Sequence, residues 1–159
     1  MKIRKEQFNN LDKEGKQLIV NLIEDNYSAP DHLKPSVGEL EKLDLTVFMA
    51  LEPIEIIEAG YVGDDLLGVS FCKKITRTLI ETRTTIIRED RRGEGIGSKM
   101  NEELEKYAIE NNIKKISCYV YVDNIPSVIL KLNRNYLVEG LLRDHDEPGK
   151  DEYIMSKFL

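Results

Sequence analysis

The sequence predicts an α/β fold built on a mixed, mostly antiparallel sheet with one parallel strand pair. Two patterns predict it. Leu79–Ile87 and Lys114–Val122 are strand-like runs separated by a glycine-rich turn and an amphipathic helical stretch. A strand–helix–strand unit of this kind closes as a right-handed crossover with its strands parallel. Before this unit, strand-like runs follow one another through tight turns, and after it two short runs flank Asp146-Glu147-Pro148-Gly149. Both patterns fold as antiparallel neighbours.

Taken in order, Met1–Lys5 suits a short edge strand. Asn10–Asn26 reads as a helix, with Leu11, Leu18, Leu22 and Ile23 on one stripe, Ile19 beside them and Asn10 as N-cap. Ser28–Ser36 holds Pro30 and Pro35 and reads as a loop, and Val37–Leu45 as a short second helix. Thr46–Leu51 is apolar but ambiguous, and Pro53 ends it. Ile54–Val62 reads as a strand, Gly63-Asp64-Asp65 as a hairpin turn and Leu66–Ile75 as the next strand. Leu79–Ile87 completes an antiparallel meander. Ile96, Met100, Leu104, Tyr107 and Ala108 recur at helical spacing, and Asn111-Asn112 closes that helix. In Lys114–Val122, Ile116, Cys118, Val120 and Val122 alternate with Ser117, Tyr119 and Tyr121. Val128–Asn133 is a short helix that Asp123 or Asn124 can cap and Asn135 can end in a left-handed conformation. Leu137–Arg143 and Tyr153–Phe158 form the last hairpin.

A chain of 159 residues, 41% hydrophobic and 33% charged, suggests one domain over 1–159. No apolar run approaches the roughly 20 residues of a membrane span. Met1-Lys2-Ile3-Arg4-Lys5 is basic, but no apolar segment follows as in a signal peptide. Cys72 and Cys118, the two cysteines, lie in apolar runs, the pattern of reduced core thiols in a cytoplasmic protein. With two histidines beside them and no ligand spacing, no metal site is expected. The net charge of −6 disfavours nucleic acid and suits a cationic partner such as an amine, although an acidic surface is more often simply a solubility feature.

The chemistry points to residues 84–107. A β-branched run, Thr84–Ile87, leads through Arg92, Gly93, Glu94, Gly95, Ile96, Gly97 and Ser98 into the amphipathic helix. Glycines let backbone N–H groups approach a ligand closely, and the first N–H groups of a helix lack intrahelical partners. Such a turn suits phosphate, with Arg92 adding positive charge at its mouth. A glycine turn without ligand is the plain alternative. The spacing fits neither the P-loop, G-x-x-x-x-G-K-[ST], nor the dinucleotide fingerprint, G-x-G-x-x-G. A different nucleotide binder using the glycine turn stays open.

What remains, Arg92-x-x-Gly95-x-Gly97 after an apolar strand, resembles motif A of the GNAT superfamily of acyl-CoA-dependent N-acyltransferases. Downstream, Asn124, Ser127, Val128–Leu132 and Asn135-Tyr136 are similar to the family's asparagine, small residue, apolar helix and Gly-Phe ending. The resemblance covers roughly Ile54–Leu159. It implies a GNAT-like six- to seven-stranded sheet with helices on both faces, and transfer of an acetyl group from acetyl-CoA to a primary amine of a small molecule or peptide. It involves no metal, nucleic acid or membrane and is compatible with a homodimer. Coenzyme A would be held by the backbone of Gly93–Ser98 with Arg92, and by Asn124, which otherwise is simply an N-cap. Backbone N–H at Ile86 or Ile87, freed by a strand bulge, would polarise the thioester carbonyl.

Glu81, six residues before Ile87, matches the glutamate that several branches use as base. Alternatively it binds the acceptor, or simply faces solvent. The glutamate that another branch places five residues before the asparagine is Tyr119 here, so that mechanism does not carry over. The family's acid, a tyrosine seven residues after the asparagine, is Lys131 here. Lys131 either stabilises the departing thiolate or is a solvated lysine on a short helix. Tyr119, Tyr121 and Tyr136 are substitute candidates, and His145 either borders the acceptor site or is an exposed loop histidine. The missing tyrosine also leaves room for an acyl-CoA sensor without turnover. The proline-rich segment, with His32, does not identify the acceptor.

Overall fold

The computed structural model describes residues 1–27, 34–56 and 61–159, with the side chains of 55, 56, 61 and 62 excepted. The strands are β1 (Lys2–Gln7), β2 (Thr46–Ile56), β3 (Tyr61–Lys74), β4 (Leu79–Ile87), β5 (Lys115–Tyr121), β6 (Leu137–Leu142) and β7 (Glu152–Phe158). The helices are α1 (Lys13–Asn26), α2 (Val37–Glu41), α3 (Ile96–Glu110) and α4 (Ile125–Asn133). The seven strands form one sheet in the order β1-β2-β3-β4-β5-β7-β6. It is antiparallel except for β4 beside β5, the pair that the crossover pattern predicts.

Contacts divide the chain into two compact units: 1–73 with 84–104, and 74–83 with 105–159. In the first, β1 and β3 flank β2. Its core gathers Phe8, Ile19, Ile23, Val47, Val69, Phe71 and Ile86. The apolar stripe of α1 supplies Ile19, Leu22 and Ile23 to this core, while Leu18 stays exposed. The cap of α1 is Asp12, whose carboxylate accepts from the Gly15 N–H at 2.7 Å, rather than Asn10, which lies in a short 3-10 turn. Ser36 and Glu39 form a capping box at α2.

The first hairpin differs from the sequence expectation. Pro53 does not end β2, and Gly63-Asp64-Asp65 is not a turn: Pro53 pairs with Asp64 and Ile54 with Gly63 inside one continuous ladder. The β1–β2 ladder stops at Lys2↔Leu51, so β2 is an edge at Pro53 and its missing N–H costs no ladder bond on that side. The strand expected at Ile54–Val62 is therefore divided between β2 and β3. Of the expected loop Ser28–Ser36, residues 28–33 with Pro30 and His32 lie outside the described residues.

In the second unit, β7 lies between β5 and β6. Ile116, Cys118 and Val120 alternate inward on β5, and Ile80, Ala108, Ile113, Tyr136 and Met155 are buried. Both cysteines are buried thiols; burial pushes Cys72 up to about 12 and raises Cys118 as well. Asn124 caps α4 by accepting from the Ser127 N–H at 3.3 Å, and Asn135 takes the left-handed conformation at φ 63°.

Candidate active site

The glycine turn lies in the first unit. After β4, the Arg88 N–H donates to the Leu67 carbonyl at 2.9 Å, and a 3-10 turn carries the chain through Glu89–Arg91. Gly93 and Gly95 have φ of 84° and 78°, a region where other residues are strained. A Cβ built on either would meet nothing within 4 Å, so the space beside both is open. The Gly95 carbonyl accepts from Lys99 N–H at 3.1 Å, which starts α3. The N–H groups of Ile96, Gly97 and Ser98 thus begin the helix without intrahelical acceptors, at the positive end of its dipole. Open glycines beside such donors fit a pyrophosphate.

Three arginines shape the turn rather than its mouth. Arg88 joins Asp65 to Asp90, each at 2.6 Å. Arg91 joins Glu52 at 2.7 Å to Glu94 at 2.9 Å, which offsets the one carboxylate within the turn. Arg92, expected as a positive charge at the mouth, donates instead to the carbonyls of Ile87 at 3.3 Å and Asn26 at 2.8 Å. The Asn26 side chain accepts in turn from Glu89 N–H at 2.8 Å. Arg92 is therefore a brace between the end of β4, the end of α1 and the turn.

Sequence reasoning missed Gly68. A Cβ there would lie 2.9 Å from the Ile86 carbonyl oxygen and 2.7 Å from Ile87 Cδ1. Only glycine lets β3 come this close to the two residues expected to face the thioester. A glycine inside a strand pattern is the signal that could have found it.

The second unit holds the remaining candidates. The β4–β5 ladder runs from Leu79↔Lys115 to Thr82↔Cys118, although β4 continues to Ile87 and β5 to Tyr121. Register shifts interrupt the β2–β3 ladder at Ala50/Leu51 and the β6–β7 ladder at Val138/Gly140. The parallel ladder with β5 thus ends at Thr82, before Ile86 and Ile87 are reached. Glu81 pairs in register with Ser117, so it shares a sheet face with Ser117 and Tyr119. It is buried, which removes the solvent-facing alternative, and its Oε1 lies 2.7 Å from Arg83 Nε.

Lys131 is a second buried candidate in this unit. It is buried, so it is not the solvated lysine that a short helix allowed. The reason lies in α4, which turns Lys131 inward and leaves Ile125, Ile129 and Leu132 about half exposed. Its Nζ lies 4.6 Å from the Tyr136 ring centroid, and its charge reaches Cys118, whose residue alternates with Tyr119 on β5. Burial pushes the Lys131 ammonium below its usual range. The Glu81 charge also acts on Cys118, in the opposite sense to Lys131.

Tyr119 is the group that Glu81 does meet. Desolvation, then the Glu81 charge, a hydrogen bond to Glu81 and the Glu152 charge hold its phenol above the usual range, while Arg83 opposes them. His145 lies beside it, with ring centroids 5.3 Å apart. His145 is the exposed loop histidine of the sequence reading, and its Nδ1 also lies 2.8 Å from Glu152. Tyr121 donates to the loop carboxylates Asp146 and Glu147, whereas Tyr136 is buried. The expected cofactor residues 86–98 come together in the first unit; Asn124 and the acid–base candidates lie in the second.

The Acetyltransferase (GNAT) family profile matches residues 19–130, more than half of the chain. No curated protein matches it in sequence. Among solved structures, it resembles an aminoglycoside 6'-acetyltransferase type Ii at TM-score 0.77 and 19% identity, over 99% of this chain and 97% of that one. It resembles an aminoglycoside 6'-N-acetyltransferase complexed with coenzyme A at 0.75 and 15%, over 99% and 97%. The ribosomal-protein-S18-alanine N-acetyltransferase from Escherichia coli follows at 0.74 and 10%, over 98% and 92%. At these identities the likeness is one of fold.

Proposed function

Because the chain belongs to the GNAT acetyltransferase family, we propose that it is an N-acetyltransferase moving the acetyl group of acetyl-CoA directly to a primary amine of a small molecule or peptide. The observation that carries this reading is the open turn at Gly93 and Gly95 leading directly into the first N–H groups of α3. Acetyl-CoA supplies an activated acyl carbon; the chain must hold the cofactor, receive the acceptor and stabilise the departing sulfur. The backbone of Gly93–Ser98, braced by Arg92, holds the pyrophosphate. Asn124 adds a side-chain contact, and N–H groups at Ile86 and Ile87 face the thioester carbonyl.

Glu81 is the acceptor-side carboxylate. Its carboxylate, buried and oriented by Arg83, is the negative group of this face that receives the incoming ammonium. Lys131 offers a desolvated positive charge to the leaving thiolate. The reaction needs no metal, and the domain over 1–159 works in the cytoplasm. Release of free coenzyme A thiol with spermidine, kanamycin or a short peptide bearing a free α-amine tests this reading. Turnover with none of them, beside intact acetyl-CoA binding, would favour the sensor reading that a lysine at position 131 supports.

A further inference from the structure

Tyr119, His145 and Glu152 form a group on the second unit that the proposed reaction has not used. Glu152 pairs in register with Tyr121, and so shares the sheet face of Tyr119 and Glu81. Its side chain is only 8% exposed, and its Oε2 lies 2.8 Å from His145 Nδ1. A carboxylate only accepts, so a ring hydrogen sits on Nδ1, and in the neutral ring it is Nε2 that carries the lone pair. The His145 side chain is 47% exposed. One side of its ring lies against Tyr119, at 5.3 Å and an interplanar angle of 37°.

The loop that carries His145 is fastened to β5. The Tyr121 hydroxyl donates to Glu147 at 3.0 Å and to Asp146 at 3.2 Å. Lys150 Nζ lies 5.1 Å from the Tyr121 ring centroid. Within the loop, Gly149 N–H donates to Asp144. The charged groups around the pair are Glu81 and Arg83 from β4, Glu152 from β7, and Asp144, Asp146, Glu147 and Lys150 from the loop. A buried carboxylate, an imidazole with one committed nitrogen and an aromatic wall are the parts of an oriented base.

We propose, resting on the acetyltransferase reading, that His145 accepts the proton of the acceptor ammonium and that Glu152 is its positioning residue. The ammonium gives one N–H proton to His145 Nε2, and its nitrogen keeps the electron pair of the broken bond. The imidazole becomes an imidazolium whose charge the Glu152 carboxylate offsets, and the neutral amine is ready to attack. Tyr119 holds the ring plane, and Glu81 holds the ammonium while the proton leaves. The substrate class is a primary amine that arrives protonated.

The test is the pH dependence of coenzyme A release with spermidine, kanamycin and a free-α-amine peptide, for the wild type, His145→Gln, His145→Ala, Glu152→Gln and Glu152→Asp. His145→Gln lowers kcat by about 10²-fold near pH 7, leaves KM for acetyl-CoA unchanged, and approaches the wild type at high pH, where the amine is already neutral. Glu152→Gln gives a smaller loss, confined to kcat, because the imidazolium formed in the step loses its balancing carboxylate, and Glu152→Asp restores part of the lost turnover. Added imidazole restores turnover to His145→Ala. A loss that is equal at every pH and unaffected by imidazole would overturn the assignment, as would full activity in folded His145→Gln. A wild type that acetylates no amine at any pH overturns the acetyltransferase reading itself, and the base assignment with it.

Discussion

The glycine turn and the face around Glu81 are built in opposite ways. At the turn, the functional atoms are backbone N–H groups, and side chains serve only to hold them. Gly93 and Gly95 take left-handed φ, and Arg91 and Arg92 are engaged with Glu52, Glu94 and backbone carbonyls. Around Glu81, the backbone is ordinary strand and the side chains carry the chemistry. Glu81, Tyr119, His145 and Glu152 come from four separate stretches of sequence. Backbone-made function depends on a local motif and tolerates change outside it. Function made from converging side chains depends on registers set far apart in the chain.

The comparison can be broken first at Glu81. Glu81→Gln keeps the shape and removes the charge that holds the ammonium, and we expect kcat/KM for the acceptor to fall by about 10²-fold, chiefly through KM, with acetyl-CoA affinity unchanged. Equal affinity and equal turnover would show that this face does not receive the acceptor.

Gly68→Val comes next. Its side chain would meet the Ile86 carbonyl and the Ile87 side chain, so overpacking should cost about 1–3 kcal/mol in denaturant unfolding. Acetyl-CoA affinity should fall as well, because β4 must shift at its functional end. Unchanged stability would mean that β3 and β4 have room that the geometry denies.

Lys131→Met separates stability from function. The native ammonium is held below its usual range, so the folded state binds fewer protons than the unfolded chain as pH rises through the native value. Stability from this group is thus lowest below the native pKa and recovers as pH climbs toward the unfolded value of about 10.4. Methionine removes that burden, and Tm at pH 7 should hold or rise. If the charge serves the thiolate, kcat should fall about tenfold, a barrier change of about 1.4 kcal/mol. A lower Tm with unaltered kcat would make Lys131 a structural residue.

The smallest effect is expected at Arg92. Arg92→Lys keeps the charge but cannot reach both the Ile87 and Asn26 carbonyls in one plane. Acetyl-CoA affinity should weaken by about threefold, or about 0.7 kcal/mol. A loss beyond a hundredfold would mean that Arg92 contacts the phosphates directly.

This contrast also explains what the sequence made legible. The parallel pair, the helix after the turn, the Asn124 cap and the Asn135 ending all follow from periodicity and local backbone preference. Gly63-Asp64-Asp65 misled because turn chemistry looks alike within and between strands, and Pro53 misled because edge position is a tertiary property. Lys131 could not be placed inward from α4 alone, since Ile125, Ile129 and Leu132 make the more apolar stripe and are nevertheless exposed. The Glu152–His145 pair and its tilted ring contact with Tyr119 depend on the β5–β7 register and the β6–β7 loop, which no local pattern encodes.

The most direct measurement is acetyl-CoA binding to folded Gly95→Val, by calorimetry and thermal shift beside the wild type. A valine at φ 78° closes the open side of the turn and misdirects the first N–H groups of α3. Cofactor held by that backbone should lose at least about a hundredfold in affinity, or about 2.8 kcal/mol, together with its thermal stabilisation. Undiminished binding and stabilisation in the folded variant would contradict the placement of the cofactor on this turn.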